Sequence, residues 1–216
     1  MDERIGNVVW LIGRKQPDGV RLLGTCFAVT TRKFATAAHV TGPSDAGLVA
    51  IIDRGKFLSD YQDTSDTSVL LLDVKLAEYD PIRDISIVER VDASLAMFAY
   101  KIDGSDSTPV GTPVVSFGFP HADTGRRVLT QQASIVGARV LLGNAGLKTK
   151  HVVLNTQTRP GQSGGPVFSS DGKRVHAMIL GGYRPAGGSL NIDGVDPQTL
   201  HQTTHAVSAE YITAMI

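Results

Sequence analysis

The chain has 216 residues, 42% of them hydrophobic, with 21 basic side chains, 21 acidic ones and a single cysteine. That length suits one domain with a full core, the zero net charge leaves no electrostatic footprint for nucleic acid or an anionic membrane, and one cysteine rules out an internal disulfide framework. No apolar run approaches membrane-spanning length, and Met1, Asp2, Glu3 and Arg4 do not open a secretory leader, so a reducing, cytoplasmic setting is expected.

Taken in chain order, short strand signals fall at residues 8–12, 22–29, 48–52, 68–74, 85–88, 113–117, 133–142, 151–156, 175–180 and 203–207. In residues 24–40, GTCFAVTTRKFATAAHV, two apolar runs flank the polar turn 30–33, a hairpin that delivers His39 just past a strand end. Cys26 lies inside the first run and reads as a small buried residue. Residues 76–83 and 93–97 are ambiguous between helix and strand. Asp84 stands at the head of the alternating strand Ile85, Ser86, Ile87, Val88. A Gly-, Ser- and Pro-containing stretch, 103–112, reads as a connection between two halves, and the Arg126, Arg127 pair as a solvated loop. Residues 143–149, GNAGLKT, fail as a phosphate loop, because Leu147 stands where the glycine before the lysine must be. The segment GQSGGP, residues 161–166, sets a serine among small residues. Such a turn lets the Ser163 hydroxyl attack a carbonyl while the N–H groups of Gly161 and Ser163 face the developing oxyanion. Side chains at Gly161, Gly164 or Gly165 would crowd it.

Near the end, Ser208 is predicted to cap a short helix through Ala209, Tyr211 and Ile212. Many short strands with few helix signals indicate an all-β barrel or sandwich. His201 and His205 are the only remaining histidines at helical spacing, in a strand or loop context, so no metal and no cofactor is expected.

TAAH at 36–39, the D-x-x-x-D-I-S-I pattern from Asp80 to Ile87 and GQSGGP, supported by SFGFP at 116–120 and AMILGG at 177–182, resemble the chymotrypsin-like serine peptidases and, within them, the HtrA-type bacterial branch. The motifs run in that family's order, histidine, aspartate, serine. The resemblance implies two six-stranded antiparallel β-barrels with a short C-terminal helix, within one peptidase domain whose first barrel spans about 1–105 and second about 106–216. It implies Ser163 as nucleophile, His39 as general base and then acid, and Asp84 as the group that fixes the imidazole tautomer. Asp80, followed by Pro81, is the rival acid, and a turn role suits it better.

By the same resemblance the floor of the specificity pocket lies near Gln157 and Thr158, both uncharged, which disfavours a Lys or Arg substrate residue. Ile179 stands where glutamate- or glutamine-specific relatives carry a histidine. With Leu180 beside it, a polar substrate group would be left uncompensated. Gly181 and Gly182 leave the entrance open and offer backbone groups to an extended substrate. Cleavage after a small or medium apolar residue is therefore expected. The loop 181–194 reads either as a surface connection or as a pocket wall that orders on binding, with Arg184 in reach of a substrate carboxylate. Gln162 replaces the aspartate that in digestive relatives receives a new N-terminal amine, so no such activation is expected. The partners expected are a protein or peptide substrate and, to restrain a small protease, an activating protein. A second class stays open: the same barrels as a catalytically silent binding module.

Overall fold

The computed structural model describes residues 3–52, 57–92, 96, 99–182 and 203–216. The first half forms β1 (Val9–Gln16), β2 (Gly19–Ala28), β3 (Lys33–Ala37), the short helix α1 (Ala38–Thr41), β4 (Leu48–Ile52), β5 (Leu70–Asp80) and β6 (Ile85–Arg90). These strands close into an antiparallel barrel in the order β1-β2-β3-β6-β5-β4. Closure leaves the barrel no edge strand. Its wall is built from runs such as Ile85 to Val88 and Val9 to Ile12, buried on both faces, and Trp10 meets Phe34 edge-on at 4.6 Å in its core. Cys26 is completely buried, which pushes its thiol up to about 12 and keeps it protonated.

The second half forms β7 (Lys101–Ile102), β8 (Pro113–Gly118), β9 (Thr130–Asn144), β10 (Leu147–Leu154), β11 (Pro166–Ser169), β12 (Arg174–Gly182), β13 (Thr204–Ser208) and the helix α2 (Glu210–Thr213). Pairing runs β11-β8-β9-β10-β13-β12 and returns from β12 to β11, so these six strands also form a ring, and β7 lies parallel on β12. The architecture is the chymotrypsin-like double barrel with a short C-terminal helix. Phe168 stands at the centre of the aromatic contacts of this half, 5.7 Å from Phe117 and 4.9 Å from Tyr100, each edge-on. Each such buried ring stabilises the fold by about 1.5–3 kcal/mol.

Four features differ from the sequence expectations. β5 runs on to Asp80, absorbing part of the ambiguous segment, and of residues 93–97 only Ala96 is described. β7 and β11 had no strand signal of their own. Ser208 does not cap α2: it ends β13, its hydroxyl accepts the Ser105 N–H at 2.9 Å, and Ala209 takes the cap position without a side-chain bond. Residues 143–149 make the β9–β10 hairpin, whose two central residues, Ala145 (φ 49°) and Gly146 (φ 80°), both take the left-handed conformation that a two-residue turn needs.

Candidate active site

Strand β3 ends at Ala37 and α1 begins at once, so His39 leaves the first barrel at its rim, about half exposed. The next strand in space, β6, pairs Ala37 with Ile85, which sets Asp84 beside the helix. Asp84 adopts a left-handed conformation (φ 58°), uncommon for a residue with a side chain. In that pose its Oδ1 accepts the His39 backbone N–H at 2.7 Å and its Oδ2 lies 2.6 Å from His39 Nδ1, while its carbonyl accepts the Ala38 N–H at 3.1 Å. Ser86 and Thr41 join hydroxyls at 2.8 Å in full burial, tying α1 to β6 behind the pair. The imidazole is thus held with Nδ1–H on the carboxylate and Nε2 directed elsewhere.

Asp80 is engaged differently. Its Oδ1 accepts the N–H groups of Ile82 and Arg83 at 3.0 Å each, and its Oδ2 takes Arg83 Nη1 at 2.6 Å. Burial opposes its ionisation, yet the bonds from Arg83 and Ile82 outweigh that and hold the carboxyl below its ordinary range. This is a turn residue, shaping the bend that leads into Asp84.

The GQSGGP turn sits against this rim. A Cβ on Gly164 (φ 86°) would stand 2.1 Å from the Thr25 carbonyl oxygen, 2.4 Å from Thr36 Oγ1 and 3.1 Å from the Ala37 nitrogen, two residues before His39. Gly161 (φ 93°) and Gly165 meet backbone oxygens of Phe119 and Phe117 just as closely. Gly24 fills the gap between the Ser163 carbonyl and Val40, the residue after His39. Small size is required at all four positions, and positive φ as well at Gly161 and Gly164, so the glycines bring the serine turn and the histidine rim together. Among the described residues the N–H groups of Gly161 and Ser163 donate to no protein acceptor. The Ser163 hydroxyl donates to the Leu180 carbonyl at 2.8 Å, and no hydrogen bond joins it to His39.

Thr25, to which the sequence motifs gave no role, supports this turn from the first barrel. Its N–H donates to the Ser163 carbonyl at 2.9 Å, and its fully buried hydroxyl donates to the Gly161 carbonyl at 2.8 Å and accepts the Phe119 N–H at 3.2 Å. Thr36, from TAAH, donates its hydroxyl to the Thr25 carbonyl at 2.7 Å. The available signal was a buried threonine in an apolar strand, a hydroxyl that must find a partner.

Of the expected pocket residues, Thr158 is buried and accepts a long 3.4 Å contact from the Thr204 hydroxyl, while half-buried Gln157 accepts Arg159 Nη1 at 2.8 Å. Ile179 is fully buried with Val114, Val136, Leu154 and Ala206 in the core of the second barrel. Leu180 stands at a register shift of β12, and Gly181 and Gly182 pair with His205 and Thr204 on β13. β11 meets β12 only as far as Met178, so the opposite edge of Leu180 to Gly182 has no ladder strand among the described residues. Arg184, the rest of the loop to residue 194, and His201 lie outside the described residues. No cluster of potential metal ligands occurs among the described residues.

The trypsin-like peptidase domain family matches residues 24–178, a span that contains His39, Asp84 and Ser163. No curated protein matches the chain. Among solved structures, the apo MamO protease domain from Magnetospirillum magneticum superposes with a TM-score of 0.69 at 11% identity, covering 98% of this chain and 97% of that one. The active form of the Rv3671c protease from M. tuberculosis gives 0.64 at 16% identity, with 98% and 80% covered. The HtrA-type protease AlgW with a decapeptide gives 0.67 at 15%, with 98% of this chain and 64% of that chain covered. These similarities carry the fold, and the family match carries more than half of the sequence. The chain therefore belongs to the trypsin-like peptidase domain family.

Proposed function

We propose that the protein is a serine endopeptidase, in which Ser163 attacks the substrate carbonyl, His39 takes the serine proton and returns it to the leaving amine, and Asp84 fixes the imidazole. The observation that carries this reading is the seating of the serine turn against the rim that holds the His39–Asp84 pair, with the two N–H groups of Gly161 and Ser163 open. An acyl-enzyme on Ser163 follows, and two N–H donors at the oxyanion lower the barrier to it. An extended protein or peptide substrate would add itself to the open edge of Leu180 to Gly182. Uncharged Gln157 and Thr158 favour a small or medium apolar residue before the cut bond.

One observation favours a second reading, a latent or silent protease-fold module awaiting a partner: the Ser163 hydroxyl is spent on the Leu180 carbonyl instead of His39. Activation then requires only a rotation of that side chain, since an N–H from a bound substrate strand competes for the same carbonyl. An activating protein partner would act by favouring that rotation.

The test is labelling of the purified protein with a fluorophosphonate probe, read by intact mass. A single adduct lost in both Ser163→Ala and His39→Ala is expected. Absence of any adduct in folded protein would replace the first reading by the second. A peptide library then checks the apolar preference, which a dominant Arg, Lys or Glu at the cleaved position would refute.

A further inference from the structure

We infer that the oxyanion turn is armed from within the chain, by a circuit of amide groups through Gln132, Gln157 and Gln162 that makes Gln132 and Gln162 positioning residues. The inference rests on the reading of Ser163 as a nucleophile. Gln162 directly precedes that serine and is only 1% exposed, so both ends of its amide need partners. Its Oε1 accepts the Arg159 N–H at 2.7 Å, and its Nε2 donates to Gln132 Oε1 at 3.0 Å. Gln132, on β9, in turn donates its Nε2 to the Gln157 carbonyl at 3.2 Å. Turning either amide over would set oxygen against oxygen or nitrogen against nitrogen, so the circuit fixes its own orientation. Gln132 is itself held by the pairing of β9 with β8, opposite Ser116. The turn from 157 to 162 is thereby clamped to a paired strand at its start and its end, with its middle tied to that end through Arg159.

What the clamp positions is the backbone. A trans peptide is planar, so its N–H points opposite to its carbonyl, and anchoring one aims the other. The Pro160 carbonyl accepts the His121 N–H at 2.7 Å, which aims the Gly161 N–H away from His121. The Gln162 carbonyl accepts the Gly165 N–H at 3.0 Å, which does the same for Ser163. Every group in these contacts belongs to the chain's own described residues, and none is an amine at a chain end. A carboxylate in place of Gln162 would call for a cation, whereas an amide is satisfied by another amide. The oxyanion site therefore stands formed before substrate arrives, and the Ser163 hydroxyl is left as the group that must move.

Gln132 is half-buried and makes no hydrogen bond to His39, Asp84 or Ser163, which makes it the position to change. Gln132→Leu removes two bonds of the circuit, and Gln132→Glu keeps an acceptor for Gln162 Nε2. With the fluorophosphonate probe, Gln132→Leu is expected to lower the maximal rate of Ser163 labelling by roughly tenfold or more, with the probe's half-saturation within about twofold of wild type, because the loss falls on the charged transition state. Gln132→Glu is expected between the two. Hydrogen exchange gives a readout independent of labelling: the Arg159 and His121 amides are expected to be protected in wild type and to exchange faster in Gln132→Leu, with the change confined to those segments. A wild-type labelling rate in Gln132→Leu, or unprotected Arg159 and His121 amides in wild type, overturns the inference. Wild-type protein that never labels, while both amides are protected and lose protection in Gln132→Leu, leaves the clamp standing and removes the nucleophile reading instead.

Discussion

Asp84 is asked to do three things from one left-handed residue: receive the His39 N–H, hold Nδ1, and lend its carbonyl to Ala38. Asp84→Asn tolerates the same backbone but offers one acceptor oxygen for two donors, so the imidazole is expected to take the wrong tautomer. Labelling of Ser163 should then fall by about 10⁴ with little change in thermal stability, a ratio that rate measurements on folded protein check. Thr25→Val keeps shape and loses the hydroxyl, stranding the Gly161 carbonyl and the Phe119 N–H. A destabilisation of about 1–3 kcal/mol is expected from urea unfolding, together with slower labelling. His151 adds a dependence on pH. It is 5% exposed, its Nε2 lies 2.9 Å from the Thr149 hydroxyl, and its buried Nδ1 has no hydrogen-bond partner among the described residues. Burial, and then the neighbouring His205, push its pKa down to about 4, against a smaller opposite pull from Asp84. The unfolded chain, with a histidine near 6.5, binds the extra proton first, so this contribution to stability is whole above pH 6.5 and is lost as the pH falls towards 4. The loss is at most about 3 kcal/mol. In urea melts across that window, His151→Asn should flatten this part of the decline, and parallel curves for the two proteins would count against it.

Elements with a pattern of their own were legible in the letters, and those that depend on a partner were not. Strand β4 falls on the expected residues, Leu48 to Ile52, because a uniformly apolar run between polar turns has one good use in a barrel wall. β7 is two residues long and exists through its parallel pairing with Arg174 and Val175, while β11 follows Gly165 at once and is masked by the serine turn. The outer parts of β5 and β9 mix exposed polar residues with exposed leucines, Leu70, Leu71, Leu141 and Leu142, so their extent is set by neighbouring strands and not by composition. The same division holds at the site. The His39–Asp84 contact and the tightly packed glycines fall on short motifs that stand out locally in the letters, whereas Thr25 acts on Gly161 from 136 residues away and Gln132 on Gln162 from 30. The β9–β10 hairpin shows local and global demands disagreeing by one residue. Ala145 occupies a left-handed position that alanine disfavours and asparagine tolerates, ahead of Gly146, which is suited to it. Ala145→Asn is expected to raise stability by about 0.5–1 kcal/mol, read as a higher urea midpoint at unchanged slope, without effect on labelling.

At the scale of the whole molecule, the proposed chemistry falls on a seam, with His39 and Asp84 from one barrel and Ser163 from the other, so on that proposal the alignment of the barrels is itself a catalytic variable. Several contacts cross that seam. Tyr100 gives its hydroxyl to the Ala28 carbonyl at 2.5 Å while its ring meets Phe168, and Thr25 grips the serine turn. The bend from Asp80 to Asp84 is braced from the far side as well: Asn144 Nδ2 donates to the Ile82 carbonyl at 3.1 Å, and the Arg83 guanidinium lies 4.9 Å over the Tyr211 ring. Tyr211 is fixed in turn by the Lys150 N–H, which donates to its hydroxyl at 2.9 Å. The C-terminal helix thus reaches the acid of the site through one arginine, and a residue far from the reacting atoms becomes able to tune them. Tyr211→Phe keeps the ring beneath Arg83 and loses one hydrogen bond, about 1 kcal/mol of stability. Tyr211→Ala loses the ring too, with a further coupling to Arg83 of about 0.5–1 kcal/mol that a double-mutant cycle with Arg83→Ala isolates. If the second barrel sets the Asp84 bend, Tyr211→Ala should slow Ser163 labelling in fully folded protein while Tyr211→Phe barely changes it. Equal labelling in both variants, despite their difference in melting temperature, would mean that Asp80 and the β5–β6 pairing hold the acid in place unaided.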